Sequence, residues 1–458
     1  MKKIIFKKID AWILYLTIVL SIVFAIIFGA LVRQELVSSL TLGPISKTAL
    51  FLSEIPKNLA HIYYNIKDKG FDNNVKNSPY LKKPRFKRFI QTNRDELLLM
   101  ARYDGNLKRS VVELVDLNDF SVFHTFKPNI DEFNDKADTS KEEFKNLLRD
   151  VSAKRARIWH PLLTSEGELL FNLMQLVKID FCGNLLWTND EDVFHHSNNI
   201  DHEGNYWVPS RIFPFSLDKK LIGDKIDNYF DDAITKISKD GKILYQKSVS
   251  EILIENNHKS LIFGTNYVFS IDPIHLNDIQ PAMNDSLFWN KGDLFLSLRH
   301  MSLILHFRPQ TNQLINVIRG PFFHQHDVDI ISEKEISIFN NNSFNSHFDE
   351  IILSNNEVVV YNFETKQFYQ KFAESMKKHS LKTVKNGLSE ILNDGSMIVE
   401  ETDYGRILFF NKDGELEWEF INKADNDKTY LVNWIRVIKN KPLIERIKQK
   451  IQNTKCTN

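Results

Sequence analysis

Histidine and arginine are the residues of this 458-residue chain best suited to carry chemistry. Several of its 14 histidines stand at one recurring place, just ahead of a β-rich phrase. His160 precedes LLTSEGELLF, the pair His195-His196 precedes NNIDHEGNYWV, and His275 precedes LNDIQPAM. His324 and His326 precede DVDIISEKEISIF, and Arg299 closes the phrase LFLSLR of the His275 repeat. A cluster of imidazoles with one guanidinium suits an anionic tetrahedral group. Arginine offers paired donors to oxyanions, and histidine donates or accepts near neutral pH. A neutral imidazole is also a nucleophile that can hold a transferred group between two half-reactions. A lone histidine in a β-protein is commonly a satisfied polar group; recurrence at equivalent positions favours a site. His324 and His326 also read as an HxH metal pair, but no acidic partner motif accompanies them, and no metal or other cofactor is expected.

Other chemistries lack their signatures. The chain contains no GxGxxG, GxxxxGK, HExxH, CxxC or GxSxG. Its 16 glycines are about half the usual share of roughly 7%. Lys+Arg and Asp+Glu balance at 59 each, which argues against a nucleic-acid binder. Cys182 and Cys456 are too few for a disulfide framework or a four-cysteine metal site. They are expected to be unpaired, because a bridge would require the tail to dock beside a turn.

The histidines need elements that converge. From about residue 91 the chain repeats a strand, a short polar turn and a second strand. The clearest copies are LVKIDFCGNLLW (176–187), AITKISKDGKILYQ (233–246), LILHFRPQTNQLINVI (303–318), EVVVYNFETKQFYQKF (357–372) and RILFFNKDGELEWEF (406–420), with a weaker one at 111–126. Most have another strand pair upstream, such as LLTSEGELLF, LFWNKGDLFLSL or SEILNDGSMIVEE. About six four-stranded units repeated radially predict an all-β, six-bladed β-propeller over residues 91–438. The first strand of each blade lines the central channel, so histidines that lead into those strands meet there. Trp159, Trp207 and Phe323 are candidate channel-lining aromatics for a ring-shaped ligand.

Ahead of the repeats, residues 11–32 carry no charge and follow Lys2, Lys3, Lys7 and Lys8. A helix of that length spans about 33 Å, enough to cross a bilayer core of roughly 30 Å. The segment reads as an uncleaved transmembrane anchor, longer in its apolar run than a cleaved signal. The lysines of the tail, residues 1–10, keep it cytoplasmic. The propeller then lies in the periplasm of a single-pass inner-membrane protein. Residues 33–90 read as a partly helical stalk, helical at 46–65 with a break at Pro56 and basic at 67–87. Residues 439–458 form a basic tail with a helical apolar spacing, able to rest on a membrane or on the propeller.

With these phrases in place, the sequence resembles the bacterial arylsulfate sulfotransferase family of periplasmic six-bladed propellers. The resemblance rests on HHSNNIDHEGNYWV (195–208), DPIHLNDI (272–279), GDLFLSLRH (292–300), GPFFHQHDVDIISEKEISIFNNN (320–342) and SEILNDGSMIVEETDYGRILFFNKDGELEWEF (389–420). It implies transfer of a sulfuryl group from an aryl sulfate donor to a phenolic or hydroxyl acceptor, without a nucleotide sulfate. It further implies that His326 is the nucleophile and forms a sulfohistidine, while His196, His275 and Arg299 hold the sulfuryl oxygens. The chain departs from the family in having Ser197 after His196, where a His-Asp pair is usual, so either His195 or His196 can face the site. A different class, a non-catalytic tethered propeller that binds an anionic glycan or a protein, fits the anchor and basic stretches equally well.

Overall fold

The computed structural model describes residues 10–37, 42–66, 73–75, 77–138, 152–223, 229–264, 269–346 and 350–456. The chain divides into two compact units, Met1–Gly70 and Phe71–Asn458. In the first, a 27-residue helix, Ala11–Val37, is long and apolar enough to cross a membrane, and none of its residues is buried. Two of its hydroxyls bond within the helix: Thr17 donates to the carbonyl of Ile13 and Ser21 to that of Thr17. The four lysines of the tail lie outside the described residues. A second helix, Pro44–Ile66, runs through Pro56 rather than breaking there. Proline removes one hydrogen bond from a helix interior but need not end it.

The second unit is the six-bladed propeller that the repeats predict. Its blades comprise four antiparallel strands each, numbered here from the innermost strand outward. Blade 2 is Trp159–Leu163, Leu169–Asn172, Leu176–Ile179 and Leu185–Asn189. Blade 3 has Val193–Phe194 and Asn199–Ile200 side by side on Tyr206–Arg211, then Asp232–Ile237 and Ile243–Ser248. Blade 4 is Leu276–Pro281, Leu294–Leu298, Leu303–Arg308 and Gln313–Ile318. Blade 5 is His326–Ser332, Glu335–Asn340, Glu357–Asn362 and Gln367–Lys371. Blade 6 is Leu388–Ile391, Met397–Glu401, Arg406–Phe410 and Leu416–Ile421. Blade 1 closes the ring: its inner strand, Arg436–Ile438, comes from the far end of the chain and pairs with Leu97–Asp104.

The middle strands of the blades are covered on both sides by neighbouring blades, so their buried residues run on, whereas outermost strands such as Ile243–Ser248 and Gln367–Lys371 are partly exposed. In blade 1, Leu97, Leu99 and Ala101 face blade 2, while Leu98 and Met100 face blade 6. The remaining apolar clusters fill the gaps between blades 2 and 3, 3 and 4, 4 and 5, and 5 and 6. The stalk expected over 33–90 does not stay apart from the propeller. Phe86–Arg88 adds a fifth strand to the outer edge of blade 6, and Asn74–Val75 pairs with Thr429–Tyr430. Lys83 of the basic run forms an ion pair with Glu419 at 2.7 Å.

The two cysteines are joined, contrary to expectation: Cys182 and Cys456 form a disulfide with Cα atoms 5.3 Å apart. The cause is the C-terminal helix, Lys441–Asn453, which docks on the propeller. It is capped by Asn440, whose side chain accepts from the Leu443 N–H. Ile444 and Ile447 are buried in the cluster that includes Phe181, and Ile451 packs beside them. Cys182 sits in the neighbouring turn, where Asp180 accepts from the N–H groups of Cys182 and Asn184, and Gly183 takes a φ of +89°. Apolar burial of the tail therefore brings the two sulfurs together.

Candidate functional site

The chain leads into the innermost strands through residues with positive φ that are not glycine: Trp434, His160, His196, His275, His324 and Asn386. Such residues cost about 1–3 kcal/mol each and persist only where their surroundings hold them. Here the hold is visible. Buried carboxylates of one blade catch backbone N–H groups of the next blade's inner strand: Asp232 takes that of Leu276 at 2.7 Å, Asp278 that of Val328 at 3.0 Å and Asp327 that of Ser389 at 3.0 Å. This repeated backbone turn is what the recurrent histidines of the sequence mark.

Five of the predicted site residues, His195, His196, His275, His326 and Arg299, line one cavity of about 460 Å³. The ring of His196 lies 5.3 Å from that of His275 and 6.4 Å from that of His326. Both members of the His195-His196 pair reach the cavity. His195 is buried, with Nε2 3.3 Å from Asp232, and its Nδ1 meets Nδ1 of His196 at 2.7 Å. His160 and His324 are not brought to the cavity wall. His160 packs edge-on against Trp434 at 5.4 Å, and His324 is held by the carbonyl of Ser343 at 2.5 Å. Of the three aromatics, Trp159 lines the cavity. Trp207 instead fills the core between blades 3 and 4, and Phe323 lies beside His324.

The hydrogen bonds of His326 fix its tautomer. Asn341 donates its amide hydrogens to the carbonyls of Thr383 at 3.1 Å and Asn386 at 2.7 Å, which turns its Oδ1 toward His326. That oxygen lies 2.7 Å from Nδ1 of His326, so Nδ1 carries the proton. Nε2 carries the lone pair, which accepts a 3.3 Å hydrogen bond from the N–H of Asn386; attack on a substrate requires that bond to give way. Burial, reinforced by the charge of Arg299, holds the His326 pKa well below the usual imidazole value, so the ring is neutral at pH 7.

His275 is oriented by Asp272, whose carboxylate is 2.7 Å from Nδ1. Burial lowers its pKa to about 4 despite that carboxylate, and the Asp272 carboxyl is itself held below its usual range by the histidine. Arg299 donates from Nη1 to Nε2 of His300 at 2.8 Å, and His300 in turn donates from Nδ1 to the carbonyl of Asp272 at 2.8 Å. The Nε of Arg299 is buried and has no partner. Asp272, His275 and His300 bring possible ligand atoms within 4.8 Å of one another, but both ring nitrogens of His300 are engaged by Arg299 and the backbone. Sequence reasoning missed Asp272, His300, Asn341, Trp434 and three further cavity-lining arginines, Arg155, Arg157 and Arg211. Asp272, His300 and Asn341 left a signal, in the phrases DPIH, LRH and FNNN.

A six-bladed propeller with imidazoles and a guanidinium around an axial cavity defines the class of protein. A profile of the arylsulfotransferase (ASST) family matches residues 162–423, and the chain belongs to that family. Membership implies arylsulfotransferase activity on aryl sulfates. Among curated proteins none matches the chain. Among solved structures, a protein of unknown function from Bacteroides caccae is similar at 12% identity and a TM-score of 0.47, over 76% of this chain and 100% of that one. Virginiamycin B lyase from Staphylococcus aureus is similar at 11% identity and a TM-score of 0.35, over 63% of this chain and 73% of that one. The long apolar helix near the N-terminus, an anchor or a signal, and the disulfide suggest an extracytoplasmic propeller.

Proposed function

We propose that this protein transfers a sulfuryl group from a phenolic sulfate ester to a phenolic or hydroxyl acceptor in two half-reactions, through a sulfohistidine at His326. The observation that carries the reading is the Nε2 lone pair of His326, fixed by Asn341 at the wall of a cavity shared with Arg299, His196 and His275. Nε2 attacks sulfur in line with the aryl oxygen, the S–O bond breaks, and its electron pair leaves on the phenoxide. His326 keeps its Nδ1 proton on Asn341, so the ring's positive charge is balanced by the sulfonate. The acceptor oxygen then attacks sulfur, and the N–S electron pair returns to the ring. Arg299 and His196, at the wall of the same cavity, face the sulfuryl oxygens and oppose the charge that builds on them.

The resemblance gives His275 the same sulfuryl-holding task, but its geometry suits a proton carrier. Asp272 holds the Nδ1 proton, which leaves Nε2 of the neutral ring to take the acceptor's proton and return it to the next leaving phenoxide. No nucleotide donor and no cofactor enters this cycle. The helix Ala11–Val37, containing the expected span 11–32, would hold the propeller on the outer face of the inner membrane with the tail in the cytoplasm.

The test is His326→Ala, assayed for transfer from nitrophenyl sulfate to phenol. Transfer disappears, and the sulfuryl mass adduct found on the wild-type His326 peptide after incubation with donor alone is lost. Undiminished activity in the variant would remove the nucleophile assignment, and a wild-type chain with neither adduct nor turnover would be a tethered binding module.

A further inference from the structure

The histidine cavity does not end at the channel mouth. It shares Glu350 and Asp403 with a second cavity of about 620 Å³, which in turn shares Lys382 and Tyr404 with a third of about 390 Å³. Through these shared residues the three cavities adjoin in a row, from His326 past the carboxylates Glu350 and Asp403 to a pocket walled by Tyr80, Lys83, Lys378, His379 and Arg406. Among the described residues the far pocket has no carboxylate in its lining. Lys83 and Arg406 are ion-paired to Glu419 and Glu401, carboxylates set behind the wall, while Lys378 and Lys382 stand exposed. The guanidinium of Arg406 lies 4.1 Å from the ring centre of Tyr80, which meets Tyr404 edge-on at 5.8 Å. Burial and the adjacent Glu401 carboxylate, to which the Tyr80 hydroxyl donates, push that hydroxyl's pKa up. In a chain with equal numbers of acidic and basic residues, this local excess of positive charge belongs to the groove and not to the surface at large.

We propose that the groove is an extended substrate channel. The phenol that this enzyme sulfates then carries a second anionic group, a carboxylate, sulfate or phosphate, on an arm long enough to reach Lys378 and Lys382 while its ring lies at His326. This rests on the sulfotransferase reading of the histidine site. Trp159 at the inner end offers a face for the ring, and the outer lysines offer donors for the anion. One site without the other would bind either end weakly; joined by an arm of matching length, the second contact becomes intramolecular.

The experiment holds nitrophenyl sulfate as donor and compares three acceptors: phenol, phenol with a flexible linker ending in a carboxylate, and the same linker ending in a neutral amide. At the best linker length, the carboxylate acceptor shows a KM about tenfold below that of the amide, as one charge-assisted hydrogen bond would give. The gain vanishes in the double variant K378E/K382E, whose turnover of plain phenol is unchanged. Equal KM values at every linker length, or a gain that survives in the double variant, overturn the proposal. If the wild-type chain sulfates no phenol, the sulfotransferase reading has failed and the groove is judged by calorimetry. The carboxylate-tailed phenol must then bind about tenfold more weakly to the double variant, and equal binding overturns the groove as well.

Discussion

Replacing Asn341 by alanine separates the nucleophile's protonation from its position. Asn341 is fully buried, accepts the Nδ1 proton of His326 at 2.7 Å and donates to two backbone carbonyls. Against a neutral ring, such a hydrogen bond contributes about 1 kcal/mol. As the N–S bond forms, the ring becomes cationic and the same contact contributes about 2–3 kcal/mol. The difference, about 1–2 kcal/mol, exists only in the transition state and corresponds to a fall in kcat of about 5–30-fold. Loss of tautomer control adds to this, because the freed ring can place its proton on Nε2 and lose its lone pair toward sulfur. The expected fall is therefore about 10–100-fold in kcat with little change in KM, read from the burst and steady state of nitrophenolate release. The orphaned carbonyl of Asn386 also lowers stability by about 1–3 kcal/mol (that of Thr383 keeps the Asn356 amide at 2.9 Å), so the variant is checked for folding by thermal melting. Asn341→Asp restores the acceptor but favours the charged imidazole, and its activity falls more steeply than wild type as pH drops. A folded Asn341→Ala enzyme with kcat within about twofold of wild type would refute the reasoning.

Three further outcomes are expected. His275 has its pKa lowered to about 4, so its neutral form persists above that value, and the acid limb of kcat/KM falls near pH 4 instead of near the usual imidazole value of about 6.5. A limb at the ordinary histidine value would deny His275 the proton-carrying role. Arg299→Lys loses the forked donor set and lowers kcat/KM by about 10²–10³-fold in the same assay, whereas a change under about threefold would show that Arg299 does not bind the developing charge. Cys456→Ser lowers stability by about 2–4 kcal/mol in denaturant unfolding, without altering kcat of the folded enzyme, and an unchanged midpoint would mean that helix docking alone secures the tail.

Local patterns in the sequence exposed the blades, while contacts between distant segments stayed hidden. The hairpins at 176–187, 233–246, 303–318, 357–372 and 406–420 were readable because their turns lie within the phrase. The inner strand of blade 1 was not: Arg436–Ile438 pairs with Leu97–Leu99 across most of the chain, and no local spacing announces it. The disulfide escaped for the same reason, since it depends on Ile444 and Ile447 finding the core between blades 1 and 2. Histidine recurrence was legible because the fold repeats the backbone turn that carries it. The orienting groups were largely not. Asn341 is an ordinary asparagine in an asparagine-rich run, and its importance comes from two carbonyls supplied by a later segment, Thr383 and Asn386.

The closing of the ring by its last strand also decides when the molecule acquires its chemistry. Trp434, just ahead of that strand, places its ring 6.0 Å from those of both His196 and His326. The reactive imidazoles are synthesised more than a hundred residues earlier, yet one wall of their enclosure is among the last parts of the propeller to emerge. A chain whose last segment has yet to be synthesised thus holds every proposed catalytic residue without the chamber that encloses them. Ring closure and the enclosing of the histidines become a single event, and the Cys182–Cys456 disulfide then holds the closing segment in place.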